Sequence, residues 1–375
     1  MKQITLDDNG KHLDFAPLTL TRPIGDLRMG IMTNAERWKM LLPDYEIGFA
    51  TEEYLQGKFP DNGGVKVNAC VIASQEIASV LQILQPSEGI WFEDIWVAGE
   101  QDGMKRVYLS EFPLVLEKRW HLYQKNGEVL QNDFDLLTSG RTSRQLSSTN
   151  TIIGDANNIF LEEGAKVEGC TLNTNGGPIY VGQDAEIMEG SLVRGPFAMN
   201  EHAALKLGTK VYGPTTLGPH CKVGGEVNNV IFQAYSNKGH DGFLGNSVIG
   251  EWCNLGADTN CSNLKNNYDT VKTYDFRKQK VQQTDVQFMG LMMGDHSKCG
   301  INTMFNTATV VGVSANVFGA DFPPKYVPSF SWGTEGGEYD FVKALESANN
   351  MMARRGKKLT EAEVGILEFL AGERD

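Results

Sequence analysis

The chain has 375 residues, enough for two or three domains with cores of their own, and 41% hydrophobic content with 18 Phe excludes a disordered protein. With 47 acidic against 34 basic residues it carries a formal charge of −13, which argues against a nucleic-acid partner. No apolar run approaches the roughly eighteen residues of a membrane span, and Met1 leads straight into a strand-like stretch rather than a signal peptide. No membrane partner and a cytoplasmic location are therefore expected. The six cysteines are scattered without a CxxC pair, which fits buried free thiols in a reducing compartment.

Residues 1–140 alternate strand-like runs (45–50, 66–72, 89–97) with helix-like ones (32–42, 75–84), which predicts an α/β domain. Asn34 is the expected N-cap of the first long helix. Ahead of it, the loop 18–30 carries Arg22 and Arg28. A loop at a helix N-terminus is suited to phosphate, through backbone N–H groups and the helix dipole; the plainer alternative is a surface loop with solvated arginines. Small polar residues at 139–149 mark a linker, placed at 141–150.

Over 151–335 the pattern changes to a beat of six. Val181, Ile187, Val193, Met199, Leu205, Val211, Leu217 and Val223 keep it, then Phe243, Ile249 and Leu255, then Met293, Cys299, Phe305, Val311 and Val317. Four places after most of these stands a small residue, such as Ala185, Ala203, Thr209, Ser297 or Ala315. Neither a helical period near 3.6 nor a strand period of 2 gives a strict six, whereas hexapeptide repeats build a parallel β-helix. Two interruptions, 224–242 and 260–292, are expected to leave the stack as loops and carry polar chemistry. The tail, 336–375, reads as two helices packed against the β-helix, the second opened by a Thr360–Glu363 capping box.

Among the histidines His240 stands out, flanked by Asn237, Lys238 and Asp241. An imidazole titrating near neutrality is suited to take a proton from an attacking amine or hydroxyl. Lys238, with Lys265 or Lys272 from the second interruption, is a candidate for holding phosphate, Asn237 and Asn263 for sugar hydroxyls, and Glu226 for a further substrate contact. A zinc site gathered from His202, His220, His240 and His296 is an alternative, although their spacing follows no ligand motif.

The stretch from Ser236 to Leu264, with His240, Asn254 and Asn263 in that order, resembles the bifunctional UDP-N-acetylglucosamine pyrophosphorylase/glucosamine-1-phosphate N-acetyltransferases. The runs 294–303 and 322–332 resemble a divergent branch described as sugar nucleotidyltransferases. The resemblance implies an α/β nucleotidyltransferase-like domain followed by a left-handed β-helix, assembled as a homotrimer, with acetyl-CoA along the outer wall. It puts the catalytic base on His240, the substrate-amine contact on Asn254 and a loop contact on Asn263. It also implies an oxyanion-holding N–H near Ala257 and a cosubstrate contact at Ser297. Phe243 and Leu264 stand where the family carries tyrosines, so sugar contacts differ. In the N-terminal domain Arg22, Arg28 and Lys39 are the nucleotide-binding counterparts, without the family's Gly-x-Gly. A Mg²⁺ is implied there, with Asp94 or Asp133 as carboxylates, and the departures mark an altered nucleotidyl-transfer half. The expected function is acetyl transfer to an amino-sugar 1-phosphate, joined to a sugar-1-phosphate nucleotidyltransferase-like domain. The alternatives are a non-catalytic nucleotide-sugar-binding trimer and a zinc-dependent β-helix enzyme.

Overall fold

The computed structural model describes residues 2–103 and 105–373. In the N-terminal domain β1 (Lys2–Asp7) pairs in parallel with β2 (Tyr45–Ala50) and β3 (Val65–Asn68). The strands β4 (Glu88–Phe92), β5 (Ile95–Gly99) and β6 (Lys105–Tyr108) complete a six-stranded sheet of order β2–β1–β3–β5–β4–β6. The single strand expected over 89–97 is a hairpin, because Glu93, at φ 48°, turns the chain between β4 and β5. Helix α1 (Asn34–Leu41) is capped by Thr33 rather than Asn34: the Thr33 hydroxyl accepts from the Glu36 N–H and the Glu36 carboxylate accepts from the Thr33 N–H. Asn34 instead donates to the carbonyls of Ala69 and Val71 and accepts from the Ala73 N–H, tying the helix to the end of β3. Helix α2 (Gln75–Ile83) covers the sheet, and α3 (Asn126–Thr138) lies between the domains, with Leu130 and Phe134 packed on Phe160, Tyr180 and Ala198.

The hexad is a parallel β-helix. Eighteen residues, three hexads, make one coil, since Ile179 pairs with Phe197, Glu186 with Ala204 and Leu192 with Lys210. The beat residues Val181 to Val223 are all buried inside the coil. The small position does more than make room. Ser191, Thr209 and Thr309 each donate to the carbonyl three residues earlier, satisfying a corner that would otherwise be buried unpaired. All six cysteines are free and buried.

The first interruption does not leave the stack. Strand Glu226–Phe232 runs uninterrupted from the third face of one coil to the first face of the next, turning at Asn229 (φ 58°), and Phe243–Ile249 does the same at Asn246 (φ 46°). The corner is shortened, so Lys222 pairs with Asn237 and Asn237 with Asn254, and the six-residue phase slips. For the same reason Leu244, not Phe243, fills the interior. The second interruption is a true insertion. Its hairpin, Lys272–Asp275 with Lys280–Gln283, folds back on the N-terminal domain, where Arg119 donates to Thr273 Oγ1 at 3.0 Å and Tyr123 to the Phe288 carbonyl at 2.7 Å.

Two further contacts lock the halves. The loop 18–30 presses on the β-helix: Arg22 pairs with Glu251 at 2.8 Å and Asp295 at 2.5 Å, Thr21 donates to Asp295, and Gln233 exchanges two hydrogen bonds with the Arg28 backbone. The tail helices α4 (Phe341–Ala353) and α5 (Glu361–Gly372) fill the angle between the domains. They bury Met352, Ile366 and Leu367 against Leu55 and Phe59 on one side and Trp252, Val313 and Phe330 on the other. The Thr360–Glu363 capping box forms as expected. No helix among the described residues is long and apolar enough to cross a membrane.

Candidate functional site

The β-helix has three outer corners, and each carries its own column of residues. At the first, Asp184, His202, His220, Tyr235, Trp252 and His296 all adopt positive φ on successive coils. Their rings stack: His202 on His220 at 4.7 Å, His220 on Tyr235 at 4.9 Å, Tyr235 on Trp252 at 4.1 Å. At the third, Asn263 donates to Asn246 at 2.7 Å, and a reoriented Asn229 amide continues the ladder. Asn263 is thus a rung that holds coils in register.

His240 stands at the second corner, exposed, one coil before Ala257. The backbone beneath it is fixed from inside. Lys238 occupies the interior position between Val223 and Leu255, and its ammonium donates to the carbonyls of Gly224 (3.2 Å), His240 (2.9 Å) and Asp241 (3.3 Å). Burial pulls that ammonium down to about 8, with Asp241 and Asp258 opposing. Lys238 therefore braces the corner and is not placed on the wall to meet a phosphate. On the next coil Asp258 donates its N–H to the Asp241 carbonyl, and Asn302 to that of Ala257. Among the described residues the Ala257 N–H has no hydrogen-bond acceptor.

Between the first and second corners runs an outward column that the sequence reading missed: Lys222, Asn237, Asn254 and Lys298 on consecutive coils. Asn237 donates to Asn254 at 2.9 Å. Both lysines are held below the ordinary range, first by burial; at Lys222 the neighbouring Arg355, Lys206 and Arg354 add to it. None of these cations enters an ion pair among the described residues, so an acidic protein carries a local basic patch here. The signal was present in the hexad, where the residue just before each inward Val223, Leu255 or Cys299 points out.

Other expectations need correction. Ser297 is fully buried, donating to the Gly312 carbonyl at 2.6 Å, and does not reach the outer wall. Lys265 pairs with Asp269, and Lys272 lies on the insertion hairpin; within one chain neither joins His240, because the insertion leaves at the third corner. Glu226 accepts from Tyr212 at 2.7 Å and pairs with Lys210 at 3.4 Å. Arg22 and Arg28 are buried in the domain contact, Arg28 against Glu36, and Lys39 donates to the carbonyls of Pro43 and Tyr45 at the end of α1. The sequence showed a loop with two arginines, but not that carboxylates from residues 251 and 295 would fold onto the first of them.

For magnesium the donor set does not fit. Asp133 is committed to Arg37 and to the Ile31 N–H, Asp8 to His12, Thr51 and the Ile24 N–H, and Asp14 to Lys118 and Arg277. Asp94 shares the β4–β5 turn with Glu93, and no three His, Cys, Asp or Glu side chains among the described residues form a metal-holding group. The four histidines proposed for zinc do not converge either: two stack on each other at the first corner and His240 stands at the second. The C-terminal ends of β1 and β3, where open α/β sheets bind ligands, face a cavity of about 420 Å³ lined by Asn9, Lys11, Asn68, Asp94, Gln101 and Lys125.

Residues 3–142 match a family described as sugar nucleotidyl transferase. A curated relative, the bifunctional protein GlmU of Methanocaldococcus jannaschii, is 33% identical over 87 residues, 23% of this chain and 21% of that protein. The chain thus matches about a fifth of that relative's length. Both matches support the resemblance to a divergent GlmU-like sugar nucleotidyltransferase. The crystal structure of the polySia-specific acetyltransferase NeuO aligns with 56% of this chain and 99% of its own at 10% identity, with a TM-score of 0.31. A likeness at that score bears on neither fold nor chemistry.

Proposed function

We propose that the protein is a two-part transferase of nucleotide-sugar biosynthesis, whose β-helix moves an acetyl group from acetyl-CoA to the amine of an amino-sugar 1-phosphate such as glucosamine 1-phosphate. The observation that carries this reading is the face between the first and second corners: an exposed His240 three residues beyond Asn237 in the chain, and a column in which Lys222 and Lys298 stand on either side of the Asn237–Asn254 pair. His240 takes the proton as the amine attacks the thioester carbonyl, so that a C–N bond forms and the C–S bond breaks. The uncommitted Ala257 N–H donates to the oxyanion in this reading, and the departing thiolate takes up the proton. The lysines hold phosphate as point charges, and the amides meet sugar hydroxyls. A homotrimer is part of the proposal, as the family resemblance implies. The N-terminal domain binds a nucleotide or sugar phosphate at the C-terminal edge of its sheet, and its nucleotidyl-transfer chemistry is altered.

Acetyl-CoA should raise the thermal midpoint of the full chain, since a ligand of the native state alone stabilises it. Glucosamine 1-phosphate should raise it as well, and that second shift should fall in a Lys222→Met, Lys298→Met double variant. An equal shift in that variant places the sugar phosphate elsewhere. A second reading, a nucleotide-sugar-binding trimer without acetyl transfer, predicts shifts with UTP and none with acetyl-CoA.

A further inference from the structure

The turn between α4 and α5 reads Arg354-Arg355-Gly356-Lys357-Lys358, four cations in five residues of an acidic chain. It is a fixed element. Arg355 and Lys357 donate their N–H groups to the Met352 carbonyl, Gly356 turns at φ 65°, and the buried Leu359 just beyond donates its N–H to Asn349 Oδ1 at 2.9 Å. The turn lies against the first corner of the β-helix, where the Lys357 ammonium stands 5.5 Å from the centre of the Tyr235 ring. His220 stacks on Tyr235, and Lys222 follows it two residues later; from the coil before, Lys206 donates its N–H to the Val223 carbonyl. After burial, Arg355, Lys206 and Arg354 are the charges that hold Lys222 below its ordinary range, and no carboxylate opposes them. Of the carboxylates nearby, Asp184 meets His202 at 4.0 Å, Glu201 acts on His220, and Glu186 stands two coils back from Lys222 on the same column. None of them pairs with these lysines and arginines among the described residues. Like charges gathered without a partner repel one another, and an anion entering among them removes that cost.

We propose that this turn and the wall beside it form a site for a diphosphate group. The cations approach from two sides, Arg354, Arg355 and Lys357 from the turn, and Lys206 and Lys222 from adjacent coils about 5 Å apart. That spread matches two adjoining phosphates better than one, and the arginine forks suit their oxygens. A diphosphate reaches this face either within coenzyme A or within a nucleoside diphosphate sugar, and the charge pattern serves both alike. The site adjoins the lysine–asparagine column but is built by the tail. It needs neither His240 nor an amine, so it does not rest on the acetyl-transfer reading.

The test is a calorimetric titration of the full chain with inorganic pyrophosphate, with inorganic phosphate as the parallel probe. Saturable binding of pyrophosphate, tighter than that of phosphate, is expected. An Arg354→Gln, Arg355→Gln double variant, with both changes on the exposed turn, should weaken it about tenfold or more, as for loss of charge-assisted hydrogen bonds. Lys280→Gln, which removes a charge from the insertion hairpin instead, should leave it unchanged. No saturable binding, equal binding in the double variant, or an equal loss in Lys280→Gln overturns the proposal. Coenzyme A and UDP, titrated into the wild type and the double variant, separate the two sources: the ligand whose affinity falls is the one whose diphosphate sits at the turn. A fall for neither also overturns the proposal. No acetyl group moves in any of these titrations, so their failure leaves the acetyl-transfer reading standing.

Discussion

A lysine inside a β-helix needs a reason, and Lys238 has three carbonyl acceptors that supply it. Two of them belong to His240 and Asp241, so the proposed base stands on a corner braced from within. The brace has a pH signature. Burial sets the folded ammonium at about 8 against an ordinary 10.5. Below about 8 both states hold the proton; between the two values only the unfolded chain does, so this group makes stability rise with pH there. A Lys238→Met variant lacks that rise. Denaturant unfolding of the two proteins from pH 7 to 10.5 should therefore show the stability of the wild type gaining on the variant by roughly 2–3 kcal/mol. Curves that stay parallel would mean that Lys238 is not confined as described.

Among the elements, the loop 18–30 changes most in meaning between sequence and structure. Its composition suits phosphate, but its arginines serve the fold. Burial pushes the Glu251 carboxyl up, and the Arg22 charge overrides this, taking it down to about 2. With an unfolded value near 4.5, that pairing stabilises the protein fully above pH 4.5 and is lost as pH falls toward 2. Arg22→Met leaves Asp295 and Glu251 without the cation that pairs them, while Asp295 keeps only the Thr21 hydroxyl and the Glu251 N–H, so it should destabilise by about 3–5 kcal/mol at pH 7, and by much less near pH 2. Acid and urea unfolding of both proteins measures this, and an unchanged midpoint at pH 7 would contradict the clamp.

The hexad shows the other limit of reading elements from sequence. It was legible because every coil must bury one large residue per face, so burial repeats in the chain itself. Phe243 was misplaced because a shortened corner at Asn246 shifts the phase by one, which no apolar count reveals. Lys238 was taken for a surface residue for a related reason: charge suggests solvent, and only the coil register puts its side chain inside. The resemblance assigns His240 and Asn254 by their order along the chain, whereas Lys222 and Lys298 become neighbours of Asn237 and Asn254 only across coils.

At the scale of the whole molecule, the tail, the insertion and the loop 18–30 fasten the two halves together from different sides, so the N-terminal domain does not hang on a linker. The proposed function uses two places on it: a sheet edge for a sugar phosphate or nucleotide, and a β-helix face for acyl transfer. The second is the central claim. It is tested most directly by the release of free thiol from acetyl-CoA in the presence of glucosamine 1-phosphate, measured for the wild type and for His240→Ala. The account predicts amine-dependent thiol release by the wild type and a loss of at least about a hundredfold in the variant, with its unfolding midpoint unchanged. Equal rates in the two proteins, or no release by a wild type that binds acetyl-CoA, would contradict it.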